Sequence, residues 1–103
     1  MAIDEFIAYA GDPDFHDGSV VSVVEERDST RVVVRGASGQ EFVVEFRGVK
    51  AMRSCKPEGM LIYSLSEMKA QPPARRFEFA NWHEDDDAFF SIDAEDFSVA
   101  RLG

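Results

Sequence analysis

The feature that most constrains this chain is an alternation of apolar and polar side chains with a period of two, returning at about ten-residue spacing. It is clearest in Glu41-Phe42-Val43-Val44-Glu45-Phe46-Arg47, where Phe42, Val44 and Phe46 share one face. Arg31 to Arg35 repeats it, with Val32 and Val34 on one side and the arginines on the other. Val20 to Val24 is a branched run that ends in Glu25-Glu26, and Asp28-Ser29 marks a turn. These three segments predict an antiparallel meander. Beyond Gly48, Val49 to Met52 reads as an edge strand guarded by Lys50 and Arg53.

Met60 to Met68 reads as a strand with Leu61, Tyr63 and Leu65 on one side, although Leu61, Leu65 and Met68 also fit a helical stripe. After Gln71-Pro72-Pro73, Arg76 to Trp82 alternates with Phe77 and Phe79 inward. Phe89 to Ile92 and Phe97 to Leu102 are the last strands, separated by a turn at Asp93 to Asp96. Only the beginning departs from this period. Ile3, Phe6, Ile7 and Ala10 fall at i, i+3, i+4 and i+7, which predicts a short helix stopped by Gly11 and Pro13. The expectation is one domain over residues 1–103, mainly β, α+β in class. Seven to eight strands would form a curved antiparallel sheet or small barrel, capped by that helix.

Charge then narrows the function. The net charge is −9, the sign opposite to what a general nucleic-acid binder or an anionic membrane surface requires. Residues 1–30 hold eight acids and one base, residues 31–76 four acids and nine bases, and residues 77–103 eight acids and one base. Two readings follow. The oppositely charged segments pair across neighbouring strands, or the fold separates the signs and an acidic face docks a basic protein. One cysteine, Cys55, excludes a disulfide scaffold and favours a reducing cytoplasm. The acidic N-terminus is unlike a signal peptide, and no apolar run is long enough for a transmembrane helix.

Candidate chemistry is sparse. His83-Glu84-Asp85-Asp86-Asp87 is the densest cluster, but it lacks the Asp-x-Asp-x-Asp-Gly spacing of a calcium loop. A solvated loop is the preferred reading, ahead of a docking patch or a metal site. Trp82, Phe89 and Phe90 flank it, either closing the core or rimming a docking surface. The Arg47 to Lys56 stretch carries four bases, suited to guarding an edge strand, pairing with the chain's own acids or holding an acidic ligand. His16-Asp17 lacks the helical setting of the metal phosphohydrolase pair. Its expected role is local, with Asp17 or Ser19 accepting backbone hydrogen bonds and His16 packing on a strand edge. No Gly-x-Ser-x-Gly elbow, phosphate-cradling loop or Cys-x-x-Cys is present, and no spacing places Cys55 beside either histidine.

Phe15-His16-Asp17-Gly18-Ser19-Val20-Val21-Ser22-Val23 resembles the beginning of small uncharacterised bacterial β-rich proteins, some classed as immunity proteins of polymorphic toxin systems. The likeness spans residues 15 to about 47. It implies a β-rich fold and protein binding, and transfers no catalytic residue. The leading expectation is therefore a non-catalytic, cytoplasmic, immunity-like domain without cofactor or metal. It would bind a basic protein through Trp82, Glu84, Asp85, Asp86, Asp87, Asp93 and Asp96. The alternative is a pocket for a small ligand or metal, with at most weak catalysis, built from His16, Asp17, Tyr63 and Cys55. A third is a homo-oligomer formed through a sheet edge.

Overall fold

A computed structural model of the chain describes residues 6–81 and 88–102. Among these residues nine antiparallel strands form one sheet that is not closed. They are β1 (Phe6–Ala10), β2 (Gly18–Glu25), β3 (Ser29–Arg35), β4 (Glu41–Arg47), β5 (Ala51–Cys55), β6 (Leu61–Met68), β7 (Arg75–Asn81), β8 (Phe89–Ala94) and β9 (Asp96–Arg101). The order is β5-β8-β7-β6-β2-β3-β4-β9, with β1 lying against β6. The meander is present as β2-β3-β4, with β3 and β4 in continuous register from Ser29 opposite Arg47 to Arg35 opposite Glu41 and a register shift in the β2–β3 pair between Val20 and Ser22. The edge strand expected near Val49 is displaced by two or three residues to β5, which pairs only with β8.

The expected N-terminal helix is replaced by a strand over its described part. Phe6–Ala10 is extended and pairs with Met68 to Leu65 of β6, and the one helical turn nearby among the described residues is the 3-10 turn Pro13–Phe15. Two physical reasons favour the strand. A helix this short cannot offset its nucleation cost, whereas Phe, Ile and Tyr suit a pleated surface and β6 offers a ladder to join.

The sheet curls so that its two halves face each other. Phe46 on β4 meets Phe77 and Phe79 of β7, with ring centroids 5.3 and 6.1 Å apart. Phe97 of β9 reaches Phe77 at 4.7 Å, and Phe79 stacks on Phe90 of β8. Val32, Val34, Phe42, Val44 and Phe46 are the buried positions of the alternating strands, as the period predicts. The chain crosses from one end of the sheet to the other through Glu95 alone, whose N–H donates to the Arg47 carbonyl at 3.0 Å. Arg75 then holds β9 near β7 without a ladder: its guanidinium lies over the Phe77 and Phe97 rings and 3.6 Å from Asp96. The barrel alternative therefore ends as an open curl.

In β6 the expected shared side of Leu61, Tyr63 and Leu65 is split. The β6–β7 register shifts between Ile62 and Ser64, leaving Tyr63 as an extra residue. One extra residue moves every side chain on one side of it to the other face. Ile62 and Leu65 are consequently buried, while Leu61 and Tyr63 are 41% and 45% exposed.

Candidate functional site

The bulge at Tyr63 coincides with a break in pairing along the same edge of β6. β2 covers β6 at Leu61 and Ile62, and β1 covers it from Leu65 to Met68. Between them the chain leaves β6 through Gly11, makes the 3-10 turn and returns at Gly18. The space left over Tyr63, Ser64 and Leu65 is a pocket of about 300 Å³, walled by Tyr9, Ala10, Gly11, Asp12, Pro13, Phe15 and His16.

Each wall has a local cause. Gly11 takes φ +80°, and a Cβ there would sit 2.5 Å from the Phe15 ring, so glycine is required both for the bend and for the close approach. Asp12 caps the turn, its Oδ1 accepting from the Asp14 N–H at 2.9 Å, with Pro13 following where an N–H is not needed. Phe15 is 1% exposed and anchors the turn edge-on against Phe42. Asp14 ties the wall to the β3–β4 turn. Its Oδ2 accepts from the Ser38 hydroxyl at 2.6 Å, its Oδ1 from the Ser38 N–H, and its carbonyl from Ala37. A side chain at Gly36 would strike the Asp14 carboxylate, so this turn approaches as closely as it does only through glycine.

His16 Nδ1 lies 2.9 Å from the Tyr63 carbonyl oxygen. That oxygen can only accept, so Nδ1 carries the proton. The His16 ring stands edge-on to the Tyr63 ring at 5.1 Å, and its Nε2 lies 3.9 Å from Asp17 Oδ1. Asp17 sits in the left-handed region at φ 67°, a conformation that Asp tolerates better than most residues. Tyr9, 68% exposed, meets Phe6 edge-on at 4.9 Å. Among the described residues the pocket thus presents two tyrosine rings, an imidazole and the Asp12 carboxylate, with no lysine or arginine in its wall.

Of the four pocket residues expected from sequence, His16 and Tyr63 line the pocket together, Asp17 adjoins it, and Cys55 does not belong to it. Cys55 is on the edge strand β5 opposite Phe89, with β8 and β7 between β5 and β6. The backbone-accepting role expected of Asp17 or Ser19 is filled by Asp12 and Asp14. Sequence reading missed Tyr9, Asp12 and Pro13, because the segment before Gly11 looked like a helix. Asp-Pro after a glycine was the available signal for a capped turn.

The expected docking patch divides in two. Trp82, Glu84, Asp85, Asp86 and Asp87 lie outside the described residues. Asp93 and Asp96 are held by the chain's own arginines. Asp93 Oδ1 accepts from Arg76 at 2.9 Å and from Arg53 at 3.2 Å, and Asp96 Oδ2 accepts from Arg47 at 2.8 Å. Hydrogen bonding from Arg76, reinforced by its charge and that of Arg53, lowers the Asp93 pKa below the ordinary carboxylate value. Arg47 does the same for Asp96, and the two-pronged Arg75 contact does so for Glu67. Lys50 meets Glu95 at 3.1 Å, so the basic stretch from Arg47 to Arg53 pairs with the chain's own acids. Among the described residues no group of three His, Cys, Asp or Glu is placed to hold a metal ion, and no helix is long and apolar enough to cross a membrane.

No family model, characterised protein or solved structure matches this chain.

Proposed function

We propose that this chain is a non-catalytic binding domain that docks a basic segment of a partner protein at the cleft between β1, the 3-10 turn and β6. The observation that carries this reading is the distribution of unoffset acid. The ion pairs among the described residues absorb seven of the eleven bases: Arg31, Arg35, Arg47, Lys50, Arg53, Arg75 and Arg76. None of those pairs joins Asp12, Asp14 or Asp17 to a lysine or arginine, and residues 1–26 contain no base at all. Asp12 lines the aromatic pocket and Asp17 adjoins it through His16, and carboxylates so placed steer and orient a cationic partner. The residues of the wall support binding rather than chemistry. His16 and Asp17 side chains are 51% and 57% exposed, and Ser64 shares its hydroxyl with Ser66. An immunity-type role, an acidic domain covering a basic toxin, is the form of this proposal that the resemblance at residues 15–47 favours.

The test is an amide NMR titration with an arginine- and lysine-rich peptide and with a glutamate-rich peptide of equal length. The basic peptide should shift the amides of residues 9–12, 14–17 and 63–65 at low salt and lose affinity as ionic strength rises. Equal response to the acidic peptide, or shifts confined to other surfaces, would remove the pocket from the proposal.

A further inference from the structure

We infer that the pocket is a receptor for a single guanidinium group, an arginine side chain of the docked segment, held against the rings of Tyr9 and Tyr63 with the Asp12 carboxylate beside it. This rests on the docking reading above and names the group that the site selects.

Four features of the wall point to that chemistry. Size comes first: about 300 Å³ is at the small end of ligand sites, enough for one long side chain rather than a peptide strand. Second, the rings are fixed before anything binds. Tyr63 is the bulged residue of β6 with His16 bonded to its carbonyl and packed on its ring, and Tyr9 rests edge-on against Phe6. Rings already held in place lose little freedom on binding. Third, tyrosine faces attract a cation, and arginine, being planar and weakly hydrated, stacks on them better than an ammonium does. Fourth, the one carboxylate in the wall among the described residues accepts. One Asp12 oxygen receives the Asp14 N–H, and a carboxylate has room for further donors. A wall with a carboxylate, aromatic faces and, among the described residues, no lysine or arginine matches a guanidinium, which is planar and carries donors alone, and disfavours carboxylates and phosphates.

The experiment uses the whole protein and three defined probes, the N-acetylated amides of arginine, lysine and norleucine, followed by amide and tyrosine-ring NMR shifts. The arginine probe should shift Tyr9, His16 and Tyr63 and saturate at lower concentration than the lysine probe, with norleucine weakest. Tyr9→Phe should keep arginine binding close to that of the parent. Tyr9→Leu, which keeps an apolar side chain at this 68% exposed position, should weaken it about two- to five-fold. Equal binding of norleucine, or no loss in Tyr9→Leu, would overturn the aromatic–cation assignment, and equal binding of lysine would overturn the choice of guanidinium. Binding of the basic peptide elsewhere on the protein, with the arginine probe leaving the pocket unmoved, would sink this inference and leave basic docking standing. Failure of both peptide and probe would end both.

Discussion

Two short segments of this chain each carry three carboxylates, and the fold treats them in opposite ways. At the β8–β9 corner, Asp93, Glu95 and Asp96 each meet a base from another part of the sheet: Arg76 and Arg53, Lys50, and Arg47 with Arg75. Between β1 and β2, Asp12 and Asp14 meet backbone N–H groups and a serine, and Asp17 meets a histidine. The first set neutralises the basic middle of the chain and joins the two ends of an open sheet. The second set shapes a turn, and one of its members, Asp12, lines the pocket. An acidic run in sequence thus says nothing by itself about function, because its partners come from strands that are distant along the chain.

The largest effect is expected at the core that both segments rely on. Phe46 is fully buried, stacks on Phe97 of the neighbouring strand and touches the rings of Phe77 and Phe79 across the curl. Phe46→Ala should cost about 3–5 kcal/mol in denaturant unfolding. A cost below about 1 kcal/mol would mean that the two halves do not pack as one core.

Next is Asp93, 14% exposed in its side chain and shared by two arginines. Asp93→Asn should lower stability by about 2 kcal/mol, read by the same unfolding curves, since it leaves Arg76 and Arg53 without their shared carboxylate. A neutral result would place this corner with ordinary surface pairs.

Acid should discriminate between the segments. Asp93, Asp96 and Glu67 have pKa values lowered in the folded chain by hydrogen bonds from Arg76, Arg47 and Arg75. A lowered folded value contributes stability that is complete above the unfolded carboxylate pKa and is lost as pH falls through the folded one. The thermal midpoint should therefore fall as pH drops below about 4, and the fall should shrink in Asp93→Asn. An unchanged acid limb in that variant would contradict the assignment.

The smallest of these effects belongs to Asp14. Removing its contacts to Ser38 in Asp14→Ala should cost about 1 kcal/mol, because the bonds are charge-assisted but exposed to water. Hydrogen exchange should show the loosening first at the 3-10 turn and the β3–β4 turn.

What the sequence disclosed followed from how local each decision was. Strands β3, β4 and β7 were legible because their apolar residues alternate within a single strand and one face is buried, and β2 because it is a run of branched residues. The identity of β1 was not, because five residues with apolar neighbours satisfy either period and the ladder offered by β6 decided it. The Tyr63 bulge was hidden for a related reason. Leu61, Ile62, Tyr63 and Leu65 are all apolar or aromatic, so the pattern shows no fault where the face changes. The pocket arises from that bulge and from the break between β1 and β2 on β6, so His16 and Tyr63 were nameable but their meeting was not. Pairing of Asp93 and Asp96 with arginines from β4, β5 and β7 was foreseeable as a charge pattern and not as individual contacts.

The most direct measurement compares stability and basic-peptide affinity in two variants, each referred to its folded fraction. One is Asp93→Asn. The other is Asp12→Asn with Asp17→Asn, which keeps a capping side chain and a residue tolerant of positive φ while removing two charges. The account predicts a crossed result: Asp93→Asn loses stability and keeps the parent's affinity, whereas the double variant keeps its stability within about 0.5 kcal/mol and loses affinity several-fold at low salt. Affinity lost in Asp93→Asn and retained in the double variant would contradict it, and would place the docking surface at the β8–β9 corner.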